Sequence, residues 1–218
     1  MPGKRIVLIT AAALVAATSV ALAAPPQPPA DHRFELQPFV GYRLGGSFDL
    51  DAPEATGLDI ESSLSYGFTI GWLLNASQQI DFRWSRQDTD LDILGSLPGL
   101  GDHLSGFSVD NYLIEGSYIM GATDDSVRGF VSFGVGATRF SAPDGFDGSE
   151  TKLAASIGGG AKITLGKSIG LRLEGRWIPT FFNSEQAIFC SSNNGCIASA
   201  RGDLVSQAEV TTGLVVCF

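Results

Sequence analysis

Asp102, His103 and Ser105, in the stretch DHLSG, are the residues best suited to nucleophilic chemistry. A serine hydroxyl stands two positions from an imidazole, with a carboxylate next to the ring. Such a set works only if the imidazole reaches the hydroxyl and the carboxylate orients it. The surrounding segment, 88–107, reads as a loop, so no regular element fixes that geometry and catalysis is not expected. The second histidine, His32, lies beside Asp31 with no nucleophile near it.

Other groups invite a chemical reading. Cys190 and Cys196 flank SSNNG, and in an oxidising compartment that spacing predicts a small-loop disulfide. Cys217 is then the odd thiol. DTDLD, at 88–92, has the carboxylate spacing of half a Ca²⁺ loop, but the turn glycine and the closing bidentate Glu are missing. FGVGATR and IGGGAK sit inside apolar alternation, not between a strand and a helix. Their glycines are read as room in a sheet, and no cofactor is expected. RGD at 201–203 and the sequon at Asn75 are short enough to occur by chance.

Most of the remaining charge lies on one side of alternating stretches. Reading each stretch with period two puts Glu35, Arg43, Asp81, Arg83, Glu115, Arg128, Lys162, Arg172, Glu174, Arg176 and Glu209 on a common face. Arg139 falls on the opposite face, near a long connection, where it could reach headgroups.

The elements that must position these residues are strands. Eight stretches alternate: 34–44, 63–72, 80–86, 110–120, 127–140, 152–165, 169–179 and 205–218. The cleanest, SLSYGFTIGW, sets Leu64, Tyr66, Phe68, Ile70 and Trp72 against Ser63, Ser65, Gly67, Thr69 and Gly71. The intervals between stretches alternate too: 45–61, 88–107, 141–151 and 180–203 are long, while 74–78, 121–126 and 166–168 are short. That asymmetry, with strands longer than the soluble norm, predicts an all-β, eight-stranded antiparallel up-and-down transmembrane barrel. A soluble lipocalin-like barrel would turn its apolar face inward. Aromatic residues near strand ends (Phe34, Trp72, Trp84, Tyr118, Trp177, Phe218) favour the membrane form. Pro38, without an amide for the ladder, predicts an irregularity in the first strand.

The interior of eight strands is filled by side chains, so the charged face is expected to pair into a closed lumen network. A narrow conducting path is the competing reading. The chain has 218 residues and a net charge of −9, with 27 glycines and no basic stripe, which excludes nucleic acid. Lys4 and Arg5, the apolar run 6–20 and Ala21-Leu22-Ala23 predict a signal peptide over 1–23. Residues 24–33 form a Pro-rich leader and 34–218 the barrel domain. No later run is long enough for a spanning helix.

VSFGVGATRF, GGGAKITLGKSIGLRLEGRW and the terminal TTGLVVCF resemble the small outer-membrane β-barrels of Gram-negative bacteria, of the OmpA transmembrane-domain and OmpX type. The resemblance runs from Phe34 to Phe218. It implies location in the outer membrane and contact with its lipid and lipopolysaccharide. It also implies a closing strand, with Leu214, Val216 and Phe218, that is read by the barrel-assembly machinery. Cys217 departs from the usual polar or basic residue. The resemblance further implies a monomeric, non-enzymatic envelope scaffold whose acidic loops meet an extracellular ligand. Some barrels of this kind act on lipid A through a His-x-Ser pair or a His, Asp and Ser set. His103 and Ser105 match that pattern only in spacing.

Overall fold

The computed structural model describes residues 33–49, 55–95, 103–123, 125–142, 148–182, 186–191, 195–200 and 204–218. The expected signal peptide and nearly all of the expected leader, Asp102 and the RGD tripeptide lie outside these residues.

Twelve strands are present among them. Eight form the barrel: β1 (Phe34–Leu44), β4 (Ser63–Asn75), β5 (Gln78–Gly95), β6 (His103–Ile119), β7 (Val127–Ser141), β8 (Ser149–Thr164), β9 (Ile169–Phe181) and β12 (Leu204–Cys217). Each pairs antiparallel with its neighbour in sequence; β5–β6 and β1–β12 complete the ring. Closure leaves no edge amides, the condition for crossing hydrocarbon with strands. Among the described residues no helix is long and apolar enough to cross a membrane.

One end of the barrel carries short turns. At Ala76–Ser77 the Asn75 side chain accepts the Ser77 amide at 2.9 Å, and at the next turn Asp125 accepts the Ala122 amide at 2.8 Å. The other end carries the long connections, and here the structure corrects the expected loop lengths. β5 runs on to Gly95 and β6 begins at His103, so much of the interval 88–107 is strand. Leu91, Phe107 and Val109 bury their side chains there, which gives the extension its own apolar core. The first long connection contains β2 (Ser47–Asp49) and β3 (Ala55–Ile60), the latter adding to the free edge of β5. The last contains the hairpin β10 (Gln186–Ser191) and β11 (Gly195–Ala200), in which Cys190 is aligned directly with Cys196.

At Pro38 the pairing of β1 with β12 lapses over Gln37 and Pro38, yet the register is the same on both sides. Pairing with β4 is continuous, Pro38 opposite Phe68. The missing amide costs one rung and produces no bulge. A true bulge occurs in β6. Gly106 has φ of 84°, and the register with β5 shifts between Thr89 and Leu91. A left-handed residue at the extra position is the glycine-dependent form of such bulges.

Candidate functional site

The exterior shows what medium the barrel occupies. On β7 the outward residues Val127, Val131, Phe133 and Val135 are all exposed. From Val127 to Ala137 the apolar face rises about 25 Å for a strand tilted about 40°. Trp72, Phe34 and Phe218 stack at the short-turn end, with centroids 6.3 and 6.4 Å apart. Near the other limit Trp84 lies 5.6 Å from Phe68 and 6.2 Å from Tyr66. Trp84 is in mid-strand because β5 continues beyond the belt. Just above this second group the outward row turns polar: Arg86, Asp110 and Arg139 are aligned across β5, β6 and β7. Arg86 pairs with Asp88 at 2.8 Å and with Asp110 at 3.6 Å, and Arg139 donates to Ser149 at 3.1 Å. An apolar band bounded by aromatic residues and then by charge is a membrane-facing surface.

The lumen holds every member of the expected charge set. Glu35, Arg43, Asp81, Arg83, Glu115, Arg172, Glu174, Arg176 and Glu209 are buried, while Arg128 and Lys162, near the short-turn end, are partly so. Period two put them there, since each strand turns alternate residues inward. Glu209 sits at the centre, 2.8 Å from Arg43 and 2.9 Å from Arg83. Arg83 reaches on to Glu174 at 3.3 Å, and Glu174 also accepts from Arg172 at 3.2 Å and from Arg176. Arg176 pairs in turn with Glu115, which accepts the Ser156 hydroxyl at 2.5 Å. Asp81 accepts from Ser117 at 2.6 Å and from Gln79 at 2.6 Å, with Arg172 at 3.6 Å. Lys162 donates to Glu35 at 2.6 Å and to Gln79 at 2.7 Å. Carboxylates shared between guanidiniums satisfy several donors at once, which is what lets such charges stay buried.

The expected pairing is complete for the carboxylates but not for the cations. Arg128 donates to the carbonyl of Ala76 at 2.5 Å and has no ion-paired carboxylate among the described residues. Two other guanidiniums lean on rings. Arg83 lies 3.8 Å from the centroid of Phe39 and Arg172 lies 4.0 Å from that of Phe130. These faces partly offset the Nε atoms of Arg83 and Arg172, which have no hydrogen-bond partner.

Two lumen features were missed by following charge alone. One is a neutral polar layer above Arg43. Thr138 lies 3.0 Å from Thr180, and Asn111, in the orientation that satisfies both ends of its amide, donates to Thr138 and accepts from Arg43 at 2.9 Å. The other is an apolar seal near the long-loop end. Phe140 packs 6.1 Å from Phe107 and 5.5 Å from Phe182, and Leu113, Ala154 and Ile178 form a fully buried cluster. The alternation that places Glu115 inward also places Leu113 and Phe107 inward, so the signal was present.

The remaining candidates are not drawn together. Ser105 is exposed on β6 beside the bulge, in a strand and not in the expected loop. His103 is aligned with Asp92, and Asp102 lies outside the described residues, as does the disulfide chemistry of Cys190 and Cys196. Cys217 is a partly exposed free thiol, 3.9 Å from Glu35. Among the described residues no group of His, Cys, Asp and Glu could hold a metal ion.

These features define an eight-stranded transmembrane β-barrel with a packed, charge-paired interior. The chain is similar in structure to the outer membrane protein AlkL, solved in lipid bilayers by solid-state NMR (TM-score 0.56, 17% identity, covering 92% of this chain and 95% of that one). It is also similar to Neisserial surface protein A (TM-score 0.54, 12% identity, 85% and 97% covered) and to the outer membrane protein OprG of Pseudomonas aeruginosa (TM-score 0.51, 14% identity, 86% and 97% covered). At such identities the likeness is one of fold: the small outer-membrane barrel. No family model and no curated protein sequence matches the chain.

Proposed function

We propose that this chain is a monomeric, non-enzymatic barrel of a Gram-negative outer membrane. In this reading it is a closed scaffold that carries an acidic, strand-built extension on the cell surface. The short-turn end then faces the periplasm and the long connections face outward. The observation that carries the reading is the lumen. Its centre is filled by Glu209 between Arg43 and Arg83, and the outer end by Phe107, Phe140 and Phe182. A path for ions would need both layers to part, breaking buried pairs at a cost of several kcal/mol. The extension bears Asp88, Asp90 and Asp92 on one strand, a surface for envelope contacts or for an extracellular ligand.

Conductance of the refolded mature chain in a planar bilayer tests this reading. Silence over a wide voltage range, from protein shown to be folded, supports the closed scaffold. Unitary steps that shift when Arg128 or Arg172 is neutralised would replace it with a narrow channel. Lipid A acylation that changes with Ser105→Ala would replace it with an enzyme.

A further inference from the structure

At the short-turn end the lumen opens into a cavity of about 190 Å³, lined in part by Glu35, Arg128, Lys162, Lys167 and Cys217, with Ile119 and Val215 among its apolar walls. The inward row behind it is unusual. Arg128 is aligned with Lys162 across β7 and β8, and Lys162 with Arg172 across β8 and β9. Like charges directly opposite on neighbouring strands repel, and here three cations stand side by side. Glu35 answers Lys162 and Asp81 answers Arg172, but among the described residues no carboxylate pairs with Arg128 or with Lys167 at the rim. The Nε of Arg128 is buried without a hydrogen-bond partner; the deeper Arg172, 1% exposed, stands behind the cavity, between Asp81 and Glu174. Three cations, Arg128, Lys162 and Lys167, line the cavity against one carboxylate, Glu35, so it is electropositive, and Arg128 brings an unused donor to it.

We propose that this vestibule binds a small oxyanion, a phosphate or a carboxylate, seated between Arg128 and Lys162. The oxyanion would offset the cation row and accept from Arg128, whose Nε no protein group satisfies. A short apolar tail on a carboxylate would lie against Ile119 and Val215. The inference rests on the membrane-barrel reading only for which compartment the vestibule faces.

Cys217, on the vestibule wall, is a native reporter. The refolded mature chain in non-ionic detergent is alkylated with iodoacetamide in the presence of inorganic phosphate, hexanoate or chloride at matched ionic strength. Modification of Cys217 is then read by peptide mass spectrometry. Saturable protection by phosphate alone marks a phosphate site, and protection by hexanoate marks a carboxylate site with an apolar tail. Arg128→Gln raises the half-protecting concentration about tenfold, the loss of one charge-assisted hydrogen bond, while Lys162→Arg, which keeps the charge, retains protection. Labelling unchanged by either anion, in protein whose heat-modifiable electrophoretic shift shows it folded, overturns the site. Protection that Arg128→Gln leaves intact does so too. Conductance through the lumen would defeat the closed-scaffold reading and leave this result untouched.

Discussion

Phe34 and Phe218, nearly the whole barrel apart in sequence, exchange both of their backbone hydrogen bonds at 3.0 Å. Their rings stack on one side of the seam with Trp72. The last residue of the chain is thus the first rung of the closure between β12 and β1. Phe218→Ala removes the ring and leaves the rung. Refolded in micelles, the variant is expected to lose only about 1 kcal/mol, the size of an aromatic pair, in a urea titration. In cells its level in the membrane should fall far more under our proposal that the assembly machinery reads Phe218. Equal losses in both measurements would remove that role.

Glu209 tests the lumen. Its carboxylate is fully buried between two guanidiniums, so Glu209→Ala leaves Arg43 without a carboxylate and Arg83 with Glu174 alone. The expected destabilisation is about 3–5 kcal/mol, measured by denaturant unfolding. Combining it with Arg83→Met should recover part of the loss. A purely additive double mutant would show that the two residues do not interact.

Depth is readable on β7. Val131→Arg places a guanidinium in the middle of the outward apolar face and should cost about 2–4 kcal/mol. The same change at Val127, the first residue of the strand, should cost about 1 kcal/mol or less. A soluble barrel would tolerate both, so equal, small effects in lipid vesicles would exclude the membrane assignment.

Two glycines on adjacent strands should respond oppositely. A Cβ on Gly160 would overlap the carbonyl of Leu173, whereas one on Gly175 meets nothing within 4 Å. Gly160→Ala should lower the unfolding midpoint by the equivalent of about 1–3 kcal/mol. Gly175→Ala should be neutral or slightly stabilising. Circular dichroism melts of the refolded proteins decide it.

In the hairpin β10–β11 the register sets Cys190 opposite Cys196. Non-reducing peptide mapping of protein from the envelope should find them joined, with Cys217 free. Recovery of both as free thiols would remove the disulfide.

Alternation with period two determined most of this barrel. In SLSYGFTIGW, in VRGFVSFGVGATRF and in the strand ending at Phe218, it fixed which face each side chain takes. The inward position of all eleven expected lumen charges follows from that parity. Side-chain alternation is a local property of an extended backbone and needs no knowledge of neighbouring strands. Only the tertiary structure decided what is not local. That β5 and β6 continue past the membrane depends on their pairing with each other and on Leu91 and Phe107 packing inside, while the sequence there is acidic and reads as loop. The alternation breaks at Gly106, where a bulge changes the register. Which carboxylate each arginine meets depends on strand tilt and register, which bring Glu209 of β12 to Arg83 of β5. The same register lines up Arg128, Lys162 and Arg172, residues well separated in sequence that become one row of charge only when β7, β8 and β9 lie side by side.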